Sequence, residues 1–300
     1  MKGYYSKERQ LREDITGYLF ISPWLIGFLA FSVIPILFSF YFSFTDYDIL
    51  GSPIFSGLSN FKKMVKDALF WKSLGVTFYY AFVSVPARLI FAFCIAVLFK
   101  RASPLIRLYQ AAYYLPSLVG GSIAVAVMWR RMFLSDGAVN TILQSVGINS
   151  TVSWIARTDT ALWILIILAV WQFGSSMLIF LAGLRQIPQT YYEAASIDGA
   201  GSLRQFFNIT LPQMTPIIFF NLIMQLINGF TVFTQAFIVS GGKGEPQNST
   251  LVYALYLYLR AFTYYDMGYS SAMAWVLVLI IGVFTGIIFK TSDRWVYYES

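Results

Sequence analysis

Three charged side chains, Glu193, Asp198 and Arg204, lie close together in the stretch YYEAASIDGAGSLRQFFNITLPQMTP, residues 191–216. The chemistry open to them is grip rather than catalysis. QTYYEAASID starts a helix whose small alanines let another surface approach closely. GAG permits backbone angles that other residues resist, so the chain should turn sharply there. SLRQFFNITLP then begins a second helix, with Ser202 placed to cap it and Phe206, Phe207 and Ile209 giving it an apolar side. Pro212 and Pro216 stiffen or kink the segment that follows. Two short helices at an angle make a knob suited to a groove on a partner; a plain return loop would use the same residues. A second group, Asn221, Gln225 and Asn228, is spaced four and three and shares one helix face. Trp171 and Gln172 add an aromatic ring and another amide. Catalytic groups are scarce. There is no histidine, which removes the commonest general base and metal ligand. The single cysteine, Cys94, excludes an intrachain disulfide or a thiolate metal cluster.

The elements that must position these groups follow from composition. Of 300 residues, 58% are hydrophobic and only 12% charged, with a mean hydropathy of +0.65; a soluble domain carries about 25% charged residues. The apolar excess falls into six runs, near Gly17–Phe44, Ser73–Phe99, Leu108–Trp129, Ala161–Leu184, Pro212–Ser240 and Gly268–Phe289. Each is long enough for a bilayer core of about 30 Å, which takes roughly 20 helical residues. Hydrocarbon cannot satisfy stray backbone polar groups, and the runs do not alternate as barrel strands would, so they read as helices. The fold expected is all-α: a polytopic membrane bundle of about six spans. The first run is too long for a signal-peptide core and has no small-x-small cleavage site behind it. The net charge of +7 reflects basic residues flanking the helices, not nucleic-acid binding. With the N-terminus cytoplasmic, eleven basic residues fall inside and nine outside, Arg88 lying within a helix, and the inner loops are the shorter. Both termini then come out cytoplasmic. The organisation expected is a cytoplasmic tail over 1–16, a six-span domain over 17–290 with the polar loop at 191–212 on the cytoplasmic side, and a cytoplasmic tail over 291–300. The N-terminal tail is either a short surface helix or unstructured. GLSNFKKMVKDALFWKSL reads as an interfacial helix, and LVYALYLYLRAF as an aromatic-rich stretch lying at the membrane interface.

Glu193-Ala194-Ala195, Gly199 six positions after the glutamate, and Ile209-x-Leu211-Pro212 resemble the "EAA" signature of permease subunits in binding-protein-dependent ABC importers. Asp198 and Ala200 complete the "DGA" variant of the carbohydrate class. YYLPSLVGGSIAVAVMWRRMF and GGKGEPQNSTLVYALYLYLRAF resemble segments of MalF-like sugar permeases, and the likeness covers residues 15 to 295. Two positions depart from the pattern: Lys243 follows the Gly pair where proline is usual, and Arg88 puts a charge in the second span. The resemblance implies a type I importer permease in a bacterial cell membrane, surrounded by lipid. It implies a second permease subunit, expected to be a distinct sister chain, two cytoplasmic ATPase subunits and an extracytoplasmic solute-binding protein. The substrate expected is a carbohydrate, an oligosaccharide rather than a monosaccharide. The 191–212 loop would be the coupling helix: Glu193 pairs with a basic residue of the ATPase, Ala194 and Ala195 allow close packing, and Gly199 gives the bend. ATPase closure would then rock the helices in alternating access. ATP and Mg belong to the partner ATPase. This chain is no enzyme and binds no cofactor: GGKGEP has the glycines and lysine of a phosphate loop at the wrong spacing.

A sugar path needs hydrogen-bonding groups for hydroxyls and flat aromatic faces for pyranose C–H surfaces. In a span, polar amides also serve as bonds between helices. Asn221, Gln225 and Asn228 are expected to line the path because the corresponding helix does so in related permeases, and Trp171 and Gln172, near mid-membrane in the fourth span, are expected beside them. Arg88 is costly to bury and faces an aqueous cavity, a partner or the headgroups. The alternative function is an ion-coupled secondary transporter. Proton coupling typically needs an intramembrane acid or histidine, and the six runs contain neither.

Overall fold

The computed structural model describes residues 7–100 and 104–297. Residues 1–6 of the expected N-terminal tail, residues 101–103, and 298–300 of the expected C-terminal tail lie outside the described residues. Five described helices are long and apolar enough to cross a bilayer, or six if one sharply bent pair counts as a single crossing. The chain divides into two compact units, Met1–Met64 with Arg260–Trp275, and Val65–Leu259 with Val276–Ser300.

In the first unit, α1 (Lys7–Phe28) passes through a π turn (Leu29–Val33) into α2 (Ile34–Phe42). From Lys7 onward, therefore, the expected tail is the opening of the first span's own helix. The π turn sits just ahead of Pro35. Proline offers no N–H to the carbonyl four residues back and crowds it; the ladder widens instead, with the Ile34 N–H donating to the Leu29 carbonyl. A two-stranded hairpin follows, β1 (Thr45–Asp46) and β2 (Ile54–Phe55), with Thr45 opposite Phe55, and then α3 (Ser59–Lys66). The expected interfacial helix is thus eight residues long, and the rest of that stretch belongs to the second span. Buried Asn60 fastens the loop: its Nδ2 donates to the carbonyls of Ser43 (3.1 Å) and Thr45 (2.8 Å). Asp266 accepts from Lys63 (2.6 Å) and from Arg260 (3.0 Å). The last long helix, called α15 below (Met267–Ser292), begins beside them. A Cβ on its Gly268 would lie 2.2 Å from the Thr45 carbonyl oxygen.

In the second unit, α4 (Ala68–Leu98) is the central post. Asp67 starts it, its Oδ1 accepting from the Leu69 (2.9 Å) and Phe70 (3.3 Å) amides. Ala81, Ala92 and Ala96 are fully buried on α4, so the helices packed on it come close. The expected third span, Leu108–Trp129, is not one helix: α5 (Pro104–Val119) and α6 (Ile123–Met132) meet at 99°. Gly120 and Gly121 release the backbone, and the Ser122 Oγ accepts the Val125 amide (3.3 Å) to start α6 anew. A short α7 (Ala138–Ser145) follows. α8 (Ala161–Trp171) and α9 (Gly174–Gln186) form one span with a break at Gln172 and Phe173. Then come α10 (Gln189–Ile197), α11 (Ser202–Gln205), α12 (Leu211–Phe230), α13 (Thr234–Val239) and α14 (Tyr253–Tyr258). The aromatic stretch expected at the interface is packed inside instead: Tyr253, Leu255 and Tyr256 are buried, and the Tyr253 amide donates to the Thr77 hydroxyl on α4 (2.7 Å). The apolar centre joins Leu89, Phe173, Met177, Phe180, Leu184 and Met214 from α4, α9 and α12.

Two substitutions test this packing. A Cβ on Gly174 would lie 2.3 Å from the Tyr113 carbonyl oxygen and 2.7 Å from the Tyr114 Cα. Both are backbone atoms of α5 and cannot swing aside. Gly174→Ala should therefore destabilise by about 1–3 kcal/mol, read as a lower thermal midpoint in detergent. Gly121→Ala, with nothing within 4 Å, should stay within about 0.5 kcal/mol of the parent. Asn60→Ala leaves two buried carbonyls without their donor and should cost about 2 kcal/mol in the same measurement.

Candidate functional site: a polar cavity and an exposed elbow

Three interruptions in the helices of the second unit open on one cavity of about 410 Å³. The α5–α6 bend contributes Gly121, the α8–α9 break contributes Gln172, and the stretch between α12 and α13 contributes Thr231, Val232 and Phe233. Non-helical backbone at membrane depth is tolerated where it borders a cavity or is buried in protein. α4 adds Tyr80, Ser84 and Arg88, and α12 adds Gln225 and Asn228. The polar groups are held in place. The Gln172 carbonyl, left over where α8 ends, accepts from the Arg88 Nη2 and from the Ser117 hydroxyl (2.9 Å). Its side-chain Nε2 turns back to the Leu168 carbonyl (3.2 Å). Gln225 is nearly buried and donates to the Ser176 hydroxyl (3.1 Å). Gln235 reaches the Gly120 carbonyl (3.4 Å). Buried Gly120 packs on Gln172, whose side chain would sit 2.4 Å from any Cβ there.

Of the residues expected on the path, Gln172, Gln225 and Asn228 line this cavity and two do not. Asn221, one turn earlier on α12, is buried and donates to the Ile217 carbonyl of its own helix (3.0 Å). Trp171 is not among the lining residues and packs on Trp129 at 5.4 Å. Arg88, which the sequence left between three surroundings, faces the cavity. Gln235 and Thr234 were not anticipated; they follow Thr231–Phe233, where only the loss of helical pattern could have marked a break.

The polar loop forms an elbow at the other end of α12. α10 closes with the Asp198 amide on the Ala194 carbonyl (3.1 Å) and the Ala200 amide on the Ala195 carbonyl (2.8 Å). Gly199 makes that closure, with φ +76°, in the left-handed region. Ser202 does not cap the next helix: Gly201 holds the cap position, with no side-chain cap bond, and Ser202 is already helical. Nor is that helix a separate short one. α11 runs through a π turn (Phe206–Thr210) into α12, with the Leu211 amide on the Phe206 carbonyl, again directly ahead of a proline, Pro212. Tyr192 bonds Thr210 (2.9 Å), and Gln205 bonds Ser196 (2.9 Å) and the Ala200 carbonyl (3.0 Å), so the two arms are tied together.

Glu193, Ala194, Asp198 and Gly199 are exposed on this elbow; Ala195, Ala200, Ile209, Leu211 and Pro212 are half-buried. Ile197 and Leu203 stand 88% and 77% exposed, unusual for such apolar side chains. Ala194, Ala195, Asp198, Ile209 and Pro212 share a groove of about 470 Å³ with Tyr297. The C-terminal segment reaches it because the Tyr297 amide donates to Thr215 (2.8 Å). Lys100, just past α4, stacks on the Tyr192 ring at 3.9 Å. No group of three or more His, Cys, Asp or Glu among the described residues could hold a metal ion.

Residues 70–297 match the family described as "Binding-protein-dependent transport system inner membrane component". The probable ABC transporter permease protein YesP of Bacillus subtilis is 54% identical over 296 residues, covering 98% of this chain and 96% of that one. The trehalose/maltose transport system permease protein MalF of Thermococcus litoralis is 32% identical, covering 97% and 98%. Among solved structures, a bacterial ABC transporter involved in the import of the acidic polysaccharide alginate superposes with a TM-score of 0.82 at 21% identity, covering 95% of this chain and 98% of that one. The ion-coupled alternative finds no support among these relatives. An inner-membrane permease fold, the elbow and the family match converge: this chain belongs to the inner-membrane components of binding-protein-dependent ABC transport systems.

Proposed function

We propose that this permease forms half of a translocation path for an oligosaccharide, driven by a cytoplasmic ATPase seated on the elbow. The observation that carries the reading is α12. One helix leads from Pro212 in the elbow groove to Gln225 and Asn228 in the polar cavity. At 1.5 Å per residue, Pro212 and Asn228 stand about 24 Å apart along it. A push on the exposed elbow is thereby delivered to the cavity wall without an intervening flexible joint. Exposed Glu193 offers a basic partner a charge to pair, and the small side chains of Ala194 and Ala195 border a groove open to a helix or ridge.

The remaining parts follow from the family. A second permease subunit, expected to be a distinct sister chain, completes the path; two ATPase subunits hold the ATP and Mg; an extracytoplasmic binding protein delivers the glycan. Relatives are named for trehalose and maltose, for starch degradation products and for arabinooligosaccharides, which supports an oligosaccharide here. A cytoplasmic elbow is supported by its neighbours: Lys100 and the segment ending at Tyr297 gather at the same end of the second unit. Counting the bent α5–α6 pair as one crossing gives six spans, an even number that supports both termini lying on the same side as the elbow.

Glu193→Arg, at an exposed site, should leave the thermal midpoint unchanged but lower the ATPase that co-purifies with the permease about tenfold or more, as expected for reversing a charge in a docked pair. Gly199→Pro cannot adopt φ +76° and should abolish co-purification. An ATPase retained by both variants would refute docking on the elbow. Uptake by the assembled complex across a glycan panel then checks the substrate class.

A further inference from the structure

Arg88 is the only charged side chain among the residues lining the cavity. No salt bridge among the described residues reaches it. Its five N–H donors are largely uncommitted: Nη2 serves the Gln172 carbonyl, Nε is buried without a partner, and Nη1 bonds none of the described residues. Holding a cation away from bulk water is costly unless something compensates it. The C-terminal end of α8, where Gln172 sits, supplies part of that compensation through its partial negative charge. A half-charge does not match a whole one.

We infer that Arg88 completes its electrostatics with the permeating substrate, and that the glycan carries a carboxylate, as a uronate residue does. This rests on the sugar-permease reading above and adds the substrate's charge to it. The guanidinium fork matches a carboxylate in geometry as well as sign. The rest of the cavity suits the remainder of a sugar: Asn228 and Thr234 offer groups for hydroxyls, and the Tyr80 ring offers an apolar face. A neutral sugar would leave the cation uncompensated. Sodium or another cation would be repelled.

The competing role is structural, since Arg88 also ties α4 to the α8–α9 break. The test separates the two. The assembled importer in nanodiscs carries Cys94→Ser and Thr231→Cys, leaving one thiol in this chain, in the cavity wall, whose alkylation by a small maleimide is timed. A galacturonate trisaccharide should protect this thiol, and its carboxyl-reduced, neutral counterpart should protect it about tenfold less well. Arg88→Gln should erase the difference and Arg88→Lys, which keeps the charge without the fork, should retain part of it. Should Arg88→Gln fail to assemble, the two glycans compared with Arg88 intact still decide. Equal protection by both, or better protection by the neutral glycan, overturns the carboxylate assignment while leaving a sugar permease standing. Lack of protection by either, together with no uptake of any glycan in the panel, overturns the sugar reading itself.

Discussion

Hydrocarbon offers no partner to a free backbone carbonyl, and the second unit is arranged around that fact. Three places where its spans leave the helical ladder, at Gly121, at Gln172 and at Thr231–Phe233, turn inward onto the same cavity. The unpaired groups are met there by side chains from other helices: Arg88 and Ser117 on the Gln172 carbonyl, Gln235 on that of Gly120. The polar lining is thus a consequence of the broken helices as much as of the amide side chains. A polar cavity and a solution to backbone satisfaction are built from the same atoms.

The elbow obeys a different constraint. It has to be rigid and exposed together, which a loop of this length does not achieve unaided. Gly199 closes α10, Gln205 and Tyr192 tie its arms, and the π turn lets the chain run through Pro212 without a kink that would isolate the elbow from α12. Ile197 and Leu203 are thereby held exposed on a fixed frame. Stiffness of this kind lets a load on the elbow reach α12 as movement of the whole helix.

Much of this was legible in the sequence. The six apolar runs, the turn at Gly199 and the family likeness followed from run length, from glycine's backbone freedom and from the spacing of Glu193, Gly199 and Pro212. The right-angle bend at Gly120–Ser122 was signalled by two glycines and a capping serine, but apolar content on both sides masked it. The break at Gln172 had only Gly174 to mark it, because a tertiary contact, the Gln172 carbonyl with Arg88 and Ser117, sustains it. Asn221 and Gln225 share a face by spacing, yet only Gln225 meets the cavity, since a helix face is wider than the opening it borders. The stretch holding Tyr253 and Tyr256 read as interfacial; the Tyr253 backbone amide on Thr77 and the Tyr256 hydroxyl on Asp67 tie it into the bundle instead.

The first span has a further implication. The helix from Glu13 to Phe42 is 30 residues long, and none of those residues is buried within this chain. At 1.5 Å per residue it extends roughly 45 Å, beyond a hydrocarbon thickness of about 30 Å. Phe40 meets Trp275 edge-on at 4.9 Å near one end; along the rest of its length hydrophobic mismatch favours a lean that fits the greasy stretch to the slab. Bilayer thickness thereby becomes a mechanical variable for this subunit, and vesicles of short- and long-chain lipids would hold the same helix at different tilts.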